Sequence, residues 1–115
     1  MFGHQIIDGH NLRGTVEAFG PYPGFSFDYR VRAADFVDEA WDKLRRNPGK
    51  ARAKVVAEVV KDTVTAWTAT DTDGGETVPV TLDTIKALPH AQRKELLAYA
   101  LQERAGREAD DGGKN

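Results

Sequence analysis

Residues 25–44, FSFDYRVRAADFVDEAWDKL, change their hydrophobic period part-way and so predict a strand followed by a helix. Up to residue 32, apolar and polar residues alternate, with Phe25, Phe27 and Tyr29 on one face, which is typical of a half-buried strand. From Ala33 onward the apolar residues recur at helical spacing. They are Ala33, Phe36, Val37, Ala40, Trp41 and Leu44. This change of period favours an α+β fold.

The residues before this stretch predict the other half of a β-hairpin. A candidate strand covers residues 14–19, and the turn-forming sequence Gly20-Pro21-Tyr22-Pro23-Gly24 separates it from the strand over residues 25–32. We therefore expect the fold to begin with an antiparallel pair.

The residues after Leu44 predict three more helices. Asn47-Pro48-Gly49 ends the first helix, and a valine-rich stripe predicts a second over residues 50–67. Because valine is branched at Cβ, part of that segment could instead be strand, but its length and period favour helix. Thr81 is a suitable N-cap for a third helix over residues 82–88. A fourth is expected over residues 91–105, with Gly106 as its stop.

Two connecting segments complete the predicted architecture. Residues 66–69 and 77–80 flank an acidic turn and could pair as a small second hairpin between helices two and three, with Pro79 confining it to an edge. Residues 107–115 lack an apolar anchor and are predicted to be a disordered charged tail. The prediction is thus a mainly helical α+β fold in one domain, residues 1–106.

The periodic stripes also predict the core. Its main members are expected to be large apolar residues on the helices, namely Phe36, Val37, Trp41, Leu44, Val56, Val60, Val64, Leu88, Leu97 and Leu101.

Length and composition exclude several classes of protein. With 115 residues and a net charge of −2, the chain fits one domain and has no overall attraction to nucleic acid. The absence of cysteine rules out disulfides and thiolate chemistry. The sequence has no signal-peptide pattern and no apolar run of membrane-spanning length. We therefore expect a cytoplasmic protein.

The residues that could carry chemistry do not form a known catalytic or ligand-binding pattern. The histidines, His4, His10 and His90, lack metal-ligand spacing. Asp71, Asp73 and Glu76 do not match a calcium loop, and the only serine, Ser26, has no nucleophile-elbow glycines around it. The sequence contains no phosphate-binding glycine motif either. The prediction is a protein that is not an enzyme and uses neither metal nor cofactor.

A local concentration of basic residues leaves one nucleic-acid hypothesis open. It consists of Lys43, Arg45, Arg46, Lys50, Arg52 and Lys54. Such a patch could contact phosphates, although cations at helix ends and on exposed faces are common without any ligand.

The middle of the chain resembles a known family. Its order of motifs is V-x-x-x-V-x-x-W over residues 60–67, Asp71 and Asp73-Gly74, Val78-Pro79-Val80-Thr81, and Leu88-Pro89, preceded by Phe25-x-Phe27-x-Tyr29-Arg30. This order is similar to that of the small tail assembly chaperones of long-tailed, siphovirus-type bacteriophages and prophages. The chain departs from the family pattern at Ala69, where a larger apolar residue is usual, and at Gly75, which lengthens the turn. The first twenty residues and the last helix lie outside the resemblance.

The resemblance implies a mainly helical protein that self-associates and coats the long tape measure protein before the tail tube forms around it. It also implies that a longer form made by ribosomal frameshifting can exist. Two alternatives stay open at this point. One is a structural tail or head-tail connector component, and the other is a small nucleic-acid-binding regulator that uses the basic residues at 43–54.

The partner-binding surface is expected where apolar residues surround the acidic turn. These are Trp67, Val78, Val80 and Leu82, with the aromatic strand residues Phe25, Phe27 and Tyr29 as the second choice. A small domain has limited room to bury such residues, and tryptophan is frequent in interface hot spots.

Overall fold

The computed structural model describes residues 11–70 and 75–108, and it confirms the α+β fold with an N-terminal hairpin followed by helices. The elements, in chain order, are β1 (Asn11–Val16), β2 (Phe25–Arg30), α1 (Ala34–Arg46), α2 (Lys50–Thr63), β3 (Val64–Trp67), α3 (Leu82–Ala87), α4 (His90–Ala100) and β4 (Arg107–Glu108).

The strands form one antiparallel sheet in the order β3-β2-β1-β4. As the alternating pattern predicts, Phe25, Phe27 and Tyr29 are buried on one face of β2. On the other face, Arg13 and Asp28 are opposite each other in the ladder and form an ion pair of 2.7 Å. The helices pack on the aromatic face, where the Tyr99 ring of α4 contacts the Phe27 ring edge-on, with 5.0 Å between the ring centroids.

The hairpin is confirmed, but its strands are displaced from the predicted bounds. β1 ends at Val16, since the pair Val16 and Phe25 is the last one in its ladder with β2. The chain then forms a separate bridge between Phe19 and Tyr22, where Gly20 has a φ of +58°. The strand predicted over residues 14–19 therefore began and ended too late, and the strand predicted over residues 25–32 starts as expected but ends at Arg30.

The prediction that the second helix continues to residue 67 is wrong. α2 ends at Thr63, whose hydroxyl donates to the Val59 carbonyl at 2.8 Å, and the next four residues form β3 beside β2. Pairing with the aromatic strand satisfies the backbone of a β-branched and aromatic segment better than another helical turn would.

The two segments after β3 follow the prediction in part. The second hairpin consists of a bridge between Thr70 and Thr77 and a 2.9 Å hydrogen bond from Val78 N to the Ala69 carbonyl. Asp71 and Asp73, at its turn, lie outside the described residues. The predicted N-cap of α3 is confirmed, since the Thr81 hydroxyl accepts from Thr84 N at 3.1 Å.

The end of the chain differs from the prediction. α4 ends at Ala100, and Gln102 has a φ of +63° while its side chain donates to the Arg32 carbonyl at 2.6 Å. The prediction of a disordered tail over residues 107–115 is wrong for its first two residues, because Arg107–Glu108 pair with β1. Residues 109–115 lie outside the described part.

The core contains more aromatic residues than the helical stripes predict. Of the predicted members, Leu44, Val56, Val60, Val64 and Leu101 are buried. The other five, namely Phe36, Val37, Trp41, Leu88 and Leu97, are only partly buried, which corrects the prediction. Phe27, Tyr29 and Tyr99 fill the centre of the core with mutual ring contacts. The five partly buried side chains pack around this centre.

Candidate functional site: a groove between three helices

Four of the residues predicted to bind partners lie in the core. Phe25, Phe27 and Tyr29 are buried beneath the helices, and Trp67 is only 7% exposed. The Trp67 ring packs edge-on against the Phe25 ring, with 5.5 Å between the ring centroids. Its Nε1 donates to the Val78 carbonyl at 2.7 Å. These four side chains therefore stabilise the fold and are not on a surface that a partner could contact.

The other three predicted residues are at the surface. Val78 and Val80 are half-buried against the core, and Leu82 is 36% exposed. The sequence prediction missed Phe19, which is 52% exposed in the loop between β1 and β2.

A groove of about 470 Å³ opens between α1, α2 and α4. Its apolar lining comes from all three helices and from the residue that follows α4, namely Trp41, Ala53, Val56, Leu97, Ala98 and Leu101. Its charged or ionisable lining consists of Arg52, His90, Arg93, Lys94 and Glu103.

The turn between α1 and α2 forms one side of this groove. Gly49 has a φ of +67°, a conformation that favours glycine and lets the chain reverse direction there. Arg52 then comes back beside α1, where its Nη1 donates to the Leu44 carbonyl at 3.4 Å. Trp41 lies about one turn before Leu44, and its half-buried ring borders the same groove.

The opposite side of the groove is a face of α4. Leu96 and Tyr99 point into the core, and Leu97 and Ala98 are left half-buried on the groove side. Arg93 is anchored at the start of the helix, since its Nε donates to the Leu88 carbonyl at 3.1 Å. The groove therefore has an apolar floor with cations on two of its walls.

The electrostatic character of the groove is unusual for a chain with a net charge of −2. Gly49, which precedes α2, and His90, the first residue of α4, both line it, so both helices begin beside the groove. Neither helix has an acidic residue in its first turn or a side-chain cap. Because a helix N-terminus has a partial positive charge, both helix dipoles add to the charges of Arg52, Arg93 and Lys94.

The lining of the groove is suited to binding a partly apolar ligand. Within residues 11–70 and 75–108, no group of three His, Asp or Glu side chains comes together as a metal site. His4 and His10 are outside these ranges. Burial raises the pKa of the Tyr29 phenol, but this residue is in the core and not in the groove. An apolar floor between cations can bind apolar side chains that have acidic neighbours.

Sequence analysis missed the groove because it placed Trp41 and Leu97 in the core. A usable signal was nevertheless present in the two helix starts. Lys50 and Arg52 open α2, and His90 and Arg93 open α4, at positions where acids are normally preferred. Basic residues in place of the usual acids indicate that these two helix N-termini could attract an anion.

Comparisons of the chain with protein-family models, with curated proteins and with solved structures give no match. In the part of the chain that the structure describes, no helix combines the length and the apolar character needed to cross a membrane.

Proposed function

We propose that this chain is a non-enzymatic tail assembly chaperone of a long-tailed bacteriophage or prophage, which self-associates and binds the tape measure protein in the host cytoplasm during tail morphogenesis. The observation that carries the proposal is the apolar groove between α1, α2 and α4, with half-buried Trp41 and Leu97 on its lining. The sequence resemblance supplies the identity of the client.

The groove is compatible with one face of a helical client. A helix presents side chains in a stripe at i, i+3, i+4 and i+7, and such stripes commonly dock in apolar grooves between helices. Trp41 and Leu97 would contact this stripe from opposite walls. A tape measure protein, being long and helical, offers many such stripes to successive chaperone copies.

Self-association is assigned to a separate surface. Val78, Val80 and Leu82 precede or begin α3, and none of the three lines the groove. Two surfaces of this kind would let a copy contact its neighbour and the client at the same time.

A structural tail or connector component, the first alternative, would use the same binding surfaces. It would differ from a chaperone in remaining in the finished particle. The nucleic-acid alternative receives less support, because part of the basic segment 43–54 is engaged within the chain. Arg45 of that segment is paired with Asp42.

The proposal is tested by co-expressing the chain with overlapping segments of the tape measure protein encoded in the same genome, and by analysing finished particles. Capture of tape measure segments, together with absence from particles, is expected. Presence in particles at a fixed copy number would favour the structural alternative, and failure to capture any segment would contradict the proposal.

A further inference from the structure

We infer that the groove selects an amphipathic helix whose apolar stripe is flanked by aspartate or glutamate. This inference rests on the proposed function in so far as it assumes a helical protein client. It adds the chemistry by which a client segment is recognised.

The first argument is the distribution of charge around the groove. Arg52 stands on the α2 wall, and Arg93 and Lys94 stand on the α4 wall, with Glu103 as the acidic member of the lining. Cations on opposite walls would meet both flanks of a helix lying between them. A client with acids on both sides of its apolar stripe therefore fits better than one with acids on a single side.

The second argument concerns the ion pairing of these cations. Within the described ranges, Arg52, Arg93 and Lys94 form no ion pair. Arg52 and Arg93 each donate to a backbone carbonyl instead, which holds the guanidinium groups beside the groove. Unpaired cations beside apolar surface are suited to carboxylates that arrive with the partner.

The third argument is the apolar floor, which distinguishes a protein client from nucleic acid. Leu97, Ala98 and Ala53 offer only aliphatic contact, and burial of client side chains against them would supply hydrophobic stabilisation. A nucleic-acid backbone would use the cations and leave this aliphatic surface without a matching partner. The observations thus favour an acidic amphipathic helix.

The test uses two labelled peptides of about 20 residues, long enough to span a groove of this kind as a helix of about 30 Å. Both peptides have the same leucine stripe, and its neighbours are glutamates in one peptide and lysines in the other. Fluorescence anisotropy is expected to show binding of the glutamate peptide at least about tenfold tighter than the lysine peptide, with the difference shrinking as salt screens the charges.

Two matched double variants distinguish the effect of charge in the groove from the effect of the protein's net charge. Arg52→Glu with Lys94→Glu should abolish the preference for the glutamate peptide. Lys61→Glu with Lys86→Glu makes the same change in net charge at two exposed positions outside the groove and should preserve it. Circular dichroism melts establish that both double variants are folded.

Equal affinity for the two peptides, no binding of either, or equal loss in both double variants would overturn the inference. So would a DNA duplex that binds as tightly as the glutamate peptide and loses binding in the groove variant. The inference and the proposed function can fail separately. Binding of the glutamate peptide without capture of tape measure segments would contradict only the latter, and capture of those segments without charge preference would contradict only the former.

Discussion

The backbone N–H of Gly106 donates a hydrogen bond of 2.8 Å to the Tyr29 hydroxyl, which joins the segment after α4 to the middle of the sheet. A Cβ at Gly106 would lie 2.2 Å from the Arg13 carbonyl oxygen, so only glycine allows this approach. The contact holds the chain between α4 and β4, where Leu101 and Glu103 border the groove.

Replacing Tyr29 by phenylalanine should therefore destabilise the protein by roughly 1–3 kcal/mol, because the Gly106 N–H loses its partner in a partly buried place. Urea unfolding measures the difference. Tyr22→Phe, at a half-buried loop position, is the control and should change stability little. Equal stability of the Tyr29→Phe variant and the wild type would show that water replaces the hydroxyl without cost.

Tyr29 also predicts a pH dependence. Burial raises the pKa of its phenol above the ordinary value of 10.0, opposed by the hydrogen bond from Gly106 and assisted by the nearby Tyr99. The folded protein thus retains the proton more tightly than the unfolded chain does. Stability should be unaffected by this group below a pH of about 10 and should fall as the pH rises through the folded-state pKa.

Unfolding free energies measured between neutral and strongly alkaline pH test this expectation. The Tyr29→Phe variant should show a shallower alkaline fall than the wild type. Parallel curves for the two proteins would assign the fall to other groups.

The two tryptophans should differ in their contribution to stability. Trp67 is buried with a hydrogen bond to the Val78 carbonyl, and Trp41 is half-buried beside the groove. Trp67→Ala should cost about 3–5 kcal/mol, and Trp41→Ala less. Chemical denaturation of both variants measures the order, and a larger loss for Trp41→Ala would contradict the assignment of Trp41 to the groove lining.

The fold was predictable where the local sequence pattern and the tertiary structure favour the same secondary structure. The alternation at Phe25, Phe27 and Tyr29, the period change at Ala33 and the Thr81 cap are of this kind. The local pattern left the strand β3 open but favoured helix, because its four residues continue a helical stripe and only the neighbouring β2 makes strand the better state.

The candidate site was predictable to a smaller extent. Apolar periodicity tells which face of a helix avoids water, but not how much of that face its neighbours cover. Trp41 and Leu97 lie on core-facing stripes and are nevertheless partly exposed, because they line the groove between α1, α2 and α4. Conversely, Trp67 was expected at a surface, and the segment containing Val78 covers it.

The surface near α3 gives a prediction about self-association. Leu82→Asp should shift oligomers toward monomers while the fold is kept, because Leu82 is exposed and an acid in the first turn of α3 is compatible with the helix dipole. Light scattering measures the molar mass. Thr77→Asp, an exposed neighbour with the same change of charge, is the control. Identical masses for both variants and the wild type would place the self-association surface elsewhere.

Hydrogen–deuterium exchange with and without a captured tape measure segment tests the central claim most directly, since it locates the client on the chain. The proposed function predicts slower exchange in residues 49–56 and 90–101, which line two walls of the groove, and little change in β1 and β2. Protection confined to the strands, or unchanged exchange along the groove when the client is bound, would contradict it.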